Sequence, residues 1–110
     1  MSEVKTLDEA QLNDLKSKHG ELFQLRAERT GDVVIVKKAP EPLWKRFRTQ
    51  MMDPAKKPFA PEQLLRDCIV FPDRETVDAM LARMPGLVDT FTGELAEING
   101  AGQSVEKKAL

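Results

Sequence analysis

Glu62-Gln63-Leu64-Leu65-Arg66-Asp67-Cys68-Ile69-Val70-Phe71-Pro72-Asp73, followed by Met84-Pro85-Gly86-Leu87 and Gly93-Glu94-Leu95-Ala96-Glu97-Ile98, is the stretch that decides the fold. Leu64, Leu65, Cys68 and Ile69 recur at helical spacing until Phe71-Pro72 interrupts them. Val77, Met80, Leu81 and Met84 then fall at i, i+3, i+4 and i+7 behind Asp73, a good N-cap residue, and Pro85-Gly86 breaks the chain again. Leu87, Val88, Phe91, Leu95 and Ile98 form a third stripe. The pattern predicts helices over about 61–70, 73–84 and 87–98, joined by short connections.

Upstream, Pro54-Ala55-Lys56-Lys57-Pro58-Phe59-Ala60-Pro61 reads as an exposed proline-rich connector anchored by Phe59. Before it, Leu43, Phe47 and Met51 at i, i+4 and i+8, with Trp44 on their flank, predict a helix over about 41–53. Pro42 is tolerated in its first turn, where backbone amides lack helical partners. The period changes to two at Phe23, Leu25 and Ala27, alternating with Gln24, Arg26 and Glu28. A turn at Thr30-Gly31-Asp32 and the β-branched run Val33-Val34-Ile35-Val36 complete an expected hairpin at about 21–38. Two strands alone are marginal in water. The hairpin should therefore lie on the helices or pair with strands of a second copy.

The ends carry less. Thr6 and Glu9 have capping-box spacing ahead of a short polar helix, Leu7 to about Lys18, closed by Gly20. Its stripe is narrow, so residues 1–20 are expected to pack weakly or stay mobile until a partner arrives. Residues 101–110 have no stripe to bury and are expected to be disordered. The expected architecture is α+β and mostly helical: an N-terminal β-hairpin followed by a bundle of about four short helices, as one domain over 21–100.

Of the 110 residues 41% are hydrophobic and 32% charged, an ordinary globular balance. No apolar run approaches the roughly 20 residues needed to span a bilayer. Met1-Ser2-Glu3-Val4-Lys5-Thr6 lacks a signal peptide's apolar segment, so a cytoplasmic protein is expected. The formal charge of −1 conceals an uneven distribution. Residues 37–57 hold seven basic side chains against Glu41 and Asp53, whereas residues 62–97 hold eight acids against Arg66, Arg74 and Arg83. Copies could meet head to tail, basic surface on acidic, if the fold keeps these regions apart. Two solvated faces are the alternative. The candidate interaction residues are Lys45, Arg46 and Arg48 on one side and Asp78, Asp89 and Glu94 on the other.

No catalytic, cofactor or metal constellation is legible. His19 and Cys68 are the sole residues of their types and make no zinc signature. Ser2, Ser17 and Ser104 lack a nucleophile-elbow context, and the glycines spell no phosphate-binding loop. Cys68 reads as a core residue, the Asp67 and Asp73 carboxylates as surface charge and cap, and Met80 and Met84 as core. Trp44 beside Lys45, Arg46 and Arg48 admits a nucleic-acid reading in which the indole stacks a base. Against it stand the core spacing of Trp44 and Phe47 and the slightly acidic whole.

The hairpin ending Val33-Val34-Ile35-Val36-Lys37-Lys38, the Trp44-Lys45-Arg46-Phe47 helix, Asp67-Cys68-Ile69-Val70-Phe71-Pro72-Asp73, Pro85-Gly86-Leu87 and Gly93-Glu94-Leu95-Ala96-Glu97-Ile98 together resemble the small tail assembly chaperones of long-tailed bacteriophages and prophages. The resemblance covers about residues 20 to 100 and rests on texture without a chemical residue. It implies a non-enzymatic protein whose copies coat the tape measure protein and keep it soluble. It also implies help in recruiting tail tube subunits and absence from the mature virion. Such families often include a frameshift-extended form; the ending Val105-Glu106-Lys107-Lys108-Ala109-Leu110 suits a slippery coding stretch or a plain charged tail. A small adaptor or inhibitor with one protein partner, and a small nucleic-acid-binding protein, are the alternatives. If charge asymmetry drives self-association, reversing Arg46 and Arg48 to Glu should shrink the oligomer seen by light scattering while helical circular dichroism persists.

Overall fold

Five α-helices and three strands follow one another in the computed structural model, which describes residues 7–110: α1 (Glu9–His19), β1 (Leu22–Arg26), β2 (Val33–Lys37), α2 (Glu41–Met51), α3 (Ala60–Cys68), β3 (Ile69–Phe71), α4 (Arg74–Arg83) and α5 (Leu87–Ile98). The fold is mixed α+β and mostly helical. A single 3-10 turn, Lys57–Phe59, lies in the connector before α3.

Helix α1 starts at Asp8, whose carboxylate accepts from the Gln11 amide at 2.7 Å while the Gln11 side chain accepts from the Asp8 amide at 3.1 Å. The capping box therefore sits two residues later than the Thr6–Glu9 pair the sequence suggested, and Thr6 lies outside the described residues. Gly20, at φ 80°, closes the helix by donating to the Lys16 carbonyl. Glycine takes that left-handed conformation without a Cβ penalty.

The strands form one antiparallel sheet in the order β1-β2-β3. Leu25 pairs with Val34 and Phe23 with Val36, so the alternation read in β1 sets its register. The hairpin is not left with two strands. Ile69–Phe71, expected as the end of a helix, instead lies along β2, with Ile35 opposite Phe71 and Val36 opposite Ile69. Two residues of β3 thus span one step of β2, and Val70 is bulged. The switch has a local cause. Proline disfavours the α region for the residue before it, here Phe71, and Ile69, Val70 and Phe71 all suit a pleated surface. β3 ends at a cis Phe71–Pro72 peptide.

Val34 and Val36 face the helices and are fully buried, whereas Ile35 is buried on the opposite face of the sheet. A strand covered on both sides needs no polar alternation, which accounts for the unbroken Val33-Val34-Ile35-Val36 run. The core joins these valines to Leu64, Leu65 and Cys68 of α3, Val77, Met80 and Leu81 of α4, and Leu87, Phe91 and Leu95 of α5. Helix α2 buries none of its residues but lays Leu43, Trp44 and Phe47 against that cluster. Its rings meet at 5.4 Å between centroids, tilted by 44°.

Phe59 is not an anchor: it is 71% exposed, and Met52 is 86% exposed, because the connector turns both outward. Residues 103–110 form no helix or strand and are exposed throughout. Leu65 and Phe91 carry the centre of the core. Replacing either with alanine should lower unfolding free energy by about 2–5 kcal/mol in urea titration, since each leaves a cavity as well as losing buried apolar area.

Candidate protein-interaction surfaces

Helix α3 runs between α2 and α5. On one side Arg46 of α2 donates to Asp67, and the Gln50 amide donates to Gln63 at 3.0 Å. On the other, the Thr92 hydroxyl of α5 donates to the Pro61 carbonyl at 3.2 Å. Both α2 and α5 thus pack on α3, and Trp44 of α2 and Asn99 at the end of α5 line one groove, so the two helices also approach each other at that end.

This arrangement sorts the six charged candidates. Arg46 is engaged with Asp67, and Asp78 accepts from Arg66 at 2.6 Å while Arg66 also reaches Glu62 at 3.0 Å. These two candidates join elements within one chain: α2 to α3 and α3 to α4. Lys45 pairs with Glu41 at 2.7 Å on a well-exposed helical turn, a contact worth about 0.2–1 kcal/mol that yields easily. Arg48, Asp89 and Glu94 are exposed and make no ion pair among the described residues. Reversal at Arg46 would therefore set like charge against Asp67 inside the fold, and Arg48 is the cleaner probe of the surface.

Sequence reasoning missed the Arg83–Asp32 pair, which joins α4 to the hairpin turn across 51 positions at 2.6 Å. Burial opposes the Asp32 carboxylate, but hydrogen bonds from Arg83 and Thr30 and the Arg83 charge prevail and hold its pKa below the ordinary value. For Arg66, burial opposes the cation, yet Asp78 and Glu62 more than compensate and raise its pKa.

Two of the surface grooves bear on binding. The first, about 630 Å³, is lined by Phe59 of the connector, Glu62, Arg66 and Asp67 of α3, Ile69, and Arg74 and Val77 of α4. The second, about 550 Å³, separates α1 from the outer face of the sheet; Leu7 and Leu12 face Leu22, Val33, Ile35 and Phe71, with Lys16 and Arg26 among the lining residues. Gln24 and Arg26, the polar positions of the β1 alternation, are exposed and line this second cleft. Trp44 packs with Phe47 against the core and is only partly exposed.

Among the described residues no group of three or more His, Cys, Asp or Glu could hold a metal ion, and no helix is long and apolar enough to cross a membrane.

A three-stranded sheet backed by helices, with charged outer faces and one apolar cleft, defines a small α+β domain. The chain belongs to the family described as Domain of unknown function (DUF6848), whose model matches residues 15–108. The solved structure of uncharacterised protein rbstp2171 from Bacillus stearothermophilus is similar, with a TM-score of 0.74 and 25% identity over 88% of this chain and 99% of that one. A comparison with curated proteins gives no match.

Burial pushes the Cys68 thiol from 9.0 up to about 11, with Asp67 adding to the rise and Lys37 and Arg46 opposing it. The thiolate is the reactive species, and two pH units correspond to about 100-fold less of it at neutral pH. Cys68 should thus react with a disulfide reagent at pH 8 at least about 100-fold more slowly in the folded chain than in denaturant. Because the folded state retains this proton more tightly, stability should also fall as pH rises from 9.0 toward 11.

Proposed function

We propose that the protein is a non-enzymatic tail assembly chaperone. It binds an apolar helical segment of the tape measure protein and keeps that long chain soluble in the host cytoplasm. Several copies coat the client, help recruit tail tube subunits, and leave before the tail is complete. The observation that supports this reading is the cleft between α1 and the outer sheet face. Leu22, Val33, Ile35 and Phe71 give its floor an apolar patch beside Gln24 and Arg26, and no residue of α1 above it is fully buried. A lid held by so little apolar contact opens at small cost, so a client helix can insert its own apolar face against the sheet. Lys16 and Arg26 add positive charge to the lining, suited to acidic residues flanking the client's apolar stripe.

The test is co-expression with the tape measure protein of the same genome. Wild-type chain should hold the tape measure in the soluble fraction and co-purify with it. Leu22→Glu puts a charge on the partly exposed edge of the cleft floor, outside the buried core, and should weaken that capture at least tenfold with circular dichroism unchanged. A tape measure protein that remains insoluble, or capture insensitive to Leu22→Glu, would overturn the reading. Saturable binding of one unrelated host protein would favour the single-partner adaptor.

A further inference from the structure

We propose that copies of this chain associate head to tail, with the basic outer face of α2 and its following connector docking on the acidic outer face of α5 of the next copy. The inference deepens the coat-forming part of the proposed function, and it uses surfaces separate from the client cleft.

Internal pairing leaves a particular residue of charge on each flank of α3. On the α2 side, Lys45, Arg48 and Met52 fall at i, i+3 and i+7 on the exposed face, and the connector adds Lys56, Lys57 and Phe59. Arg48, Lys56 and Lys57 have no ion-pair partner among the described residues. Met52 and Phe59, at 86% and 71% exposure, give that basic surface two apolar knobs. Exposed large apolar groups ringed by charge are the anatomy of a docking surface.

On the α5 side, that helix exposes Asp89, Thr90, Gly93, Glu94 and Glu97 along one face and carries no lysine or arginine. Gly93 is the second, independent sign. It sits in the middle of a helix, where glycine destabilises relative to alanine. A Cβ added there would meet nothing within 4 Å, and its φ is not positive, so neither packing nor backbone conformation within the chain calls for glycine. What glycine offers at that position is a notch that admits close approach by another molecule. An acidic rim around a notch complements basic residues around an apolar knob, and both belong to this chain.

The basic surface and the acidic surface are different patches of one chain, so a contact between them joins unlike faces. The contact is heterologous and repeats from copy to copy, giving a growing chain or a closed ring of more than two.

Light scattering coupled to size exclusion over a concentration series tests this without any client. Wild-type mass should rise beyond a dimer with concentration and fall at high salt. Lys56→Glu/Lys57→Glu and Glu94→Lys/Glu97→Lys should each be monomeric at concentrations where wild type assembles, with unchanged circular dichroism. In an equimolar mixture each reversed face meets a complementary one, so the oligomers should return. Gly93→Leu, at an exposed position where an added Cβ meets nothing within 4 Å, should lower the association constant at least tenfold. A wild-type monomer at every concentration, a strict dimer, or charge-reversed variants that assemble alone or fail to assemble when mixed would overturn the proposal. Failure of tape measure capture with assembly intact would leave this interface standing and remove only the client reading.

Discussion

Burial of one short helix organises the rest of the molecule. Leu64, Leu65 and Cys68 of α3 are completely enclosed, with Ala60 beside them, so neighbours must supply apolar surface around much of the helix. The sheet supplies Val34 and Val36, α4 supplies Val77 and Leu81, and α5 supplies Phe91 and Leu95. A nine-residue helix has little stability of its own, and its place is secured by that shared burial. The polar links are secondary in energy but directional. Arg46–Asp67, Gln50–Gln63 and Thr92–Pro61 fix which helix lies on which side.

The same helix governs the electrostatics. Glu62, Arg66 and Asp67 are surface residues of α3, and each draws a charge on the helix itself or on a neighbour into an internal pair. Charges adjacent in sequence thereby acquire different fates. Arg46 is spent inside the fold and Arg48 is not; Asp78 is spent and Asp89 is not. Polarity of the folded surface depends on this selection more than on the totals, since the unpaired groups are those left to face a partner.

The sheet separates two environments. Its inner face completes the core, while its outer face is partly apolar and covered by α1, a polar helix with no fully buried residue. The charged clasp between Asp32 and Arg83 holds the hairpin turn to the end of α4 and so keeps the sheet attached to the helices at that end.

Much of the architecture was legible in the residues. Helices 41–53, 73–84 and 87–98 and the hairpin follow from apolar periods of 3.6 and 2, which record the face each element must bury. The third stripe, Leu87, Phe91 and Leu95, was read correctly as core for the same reason. The strand at Ile69–Phe71 was hidden because Leu64, Leu65, Cys68 and Ile69 continue a helical stripe, and only the open edge of β2 rewards leaving it. Phe59 was misplaced because a large apolar residue beside prolines looks like an anchor in sequence, whereas its turn directs it outward. The sequence by itself determined the type of nearly every element and the separation of basic from acidic segments, because periodicity and charge are local properties. Tertiary structure alone decided which charges are consumed, how lightly the outer face of the sheet is covered, and that α2 and α5 both pack on α3. Those outcomes depend on pairings between residues up to 51 positions apart, and no local pattern encodes them.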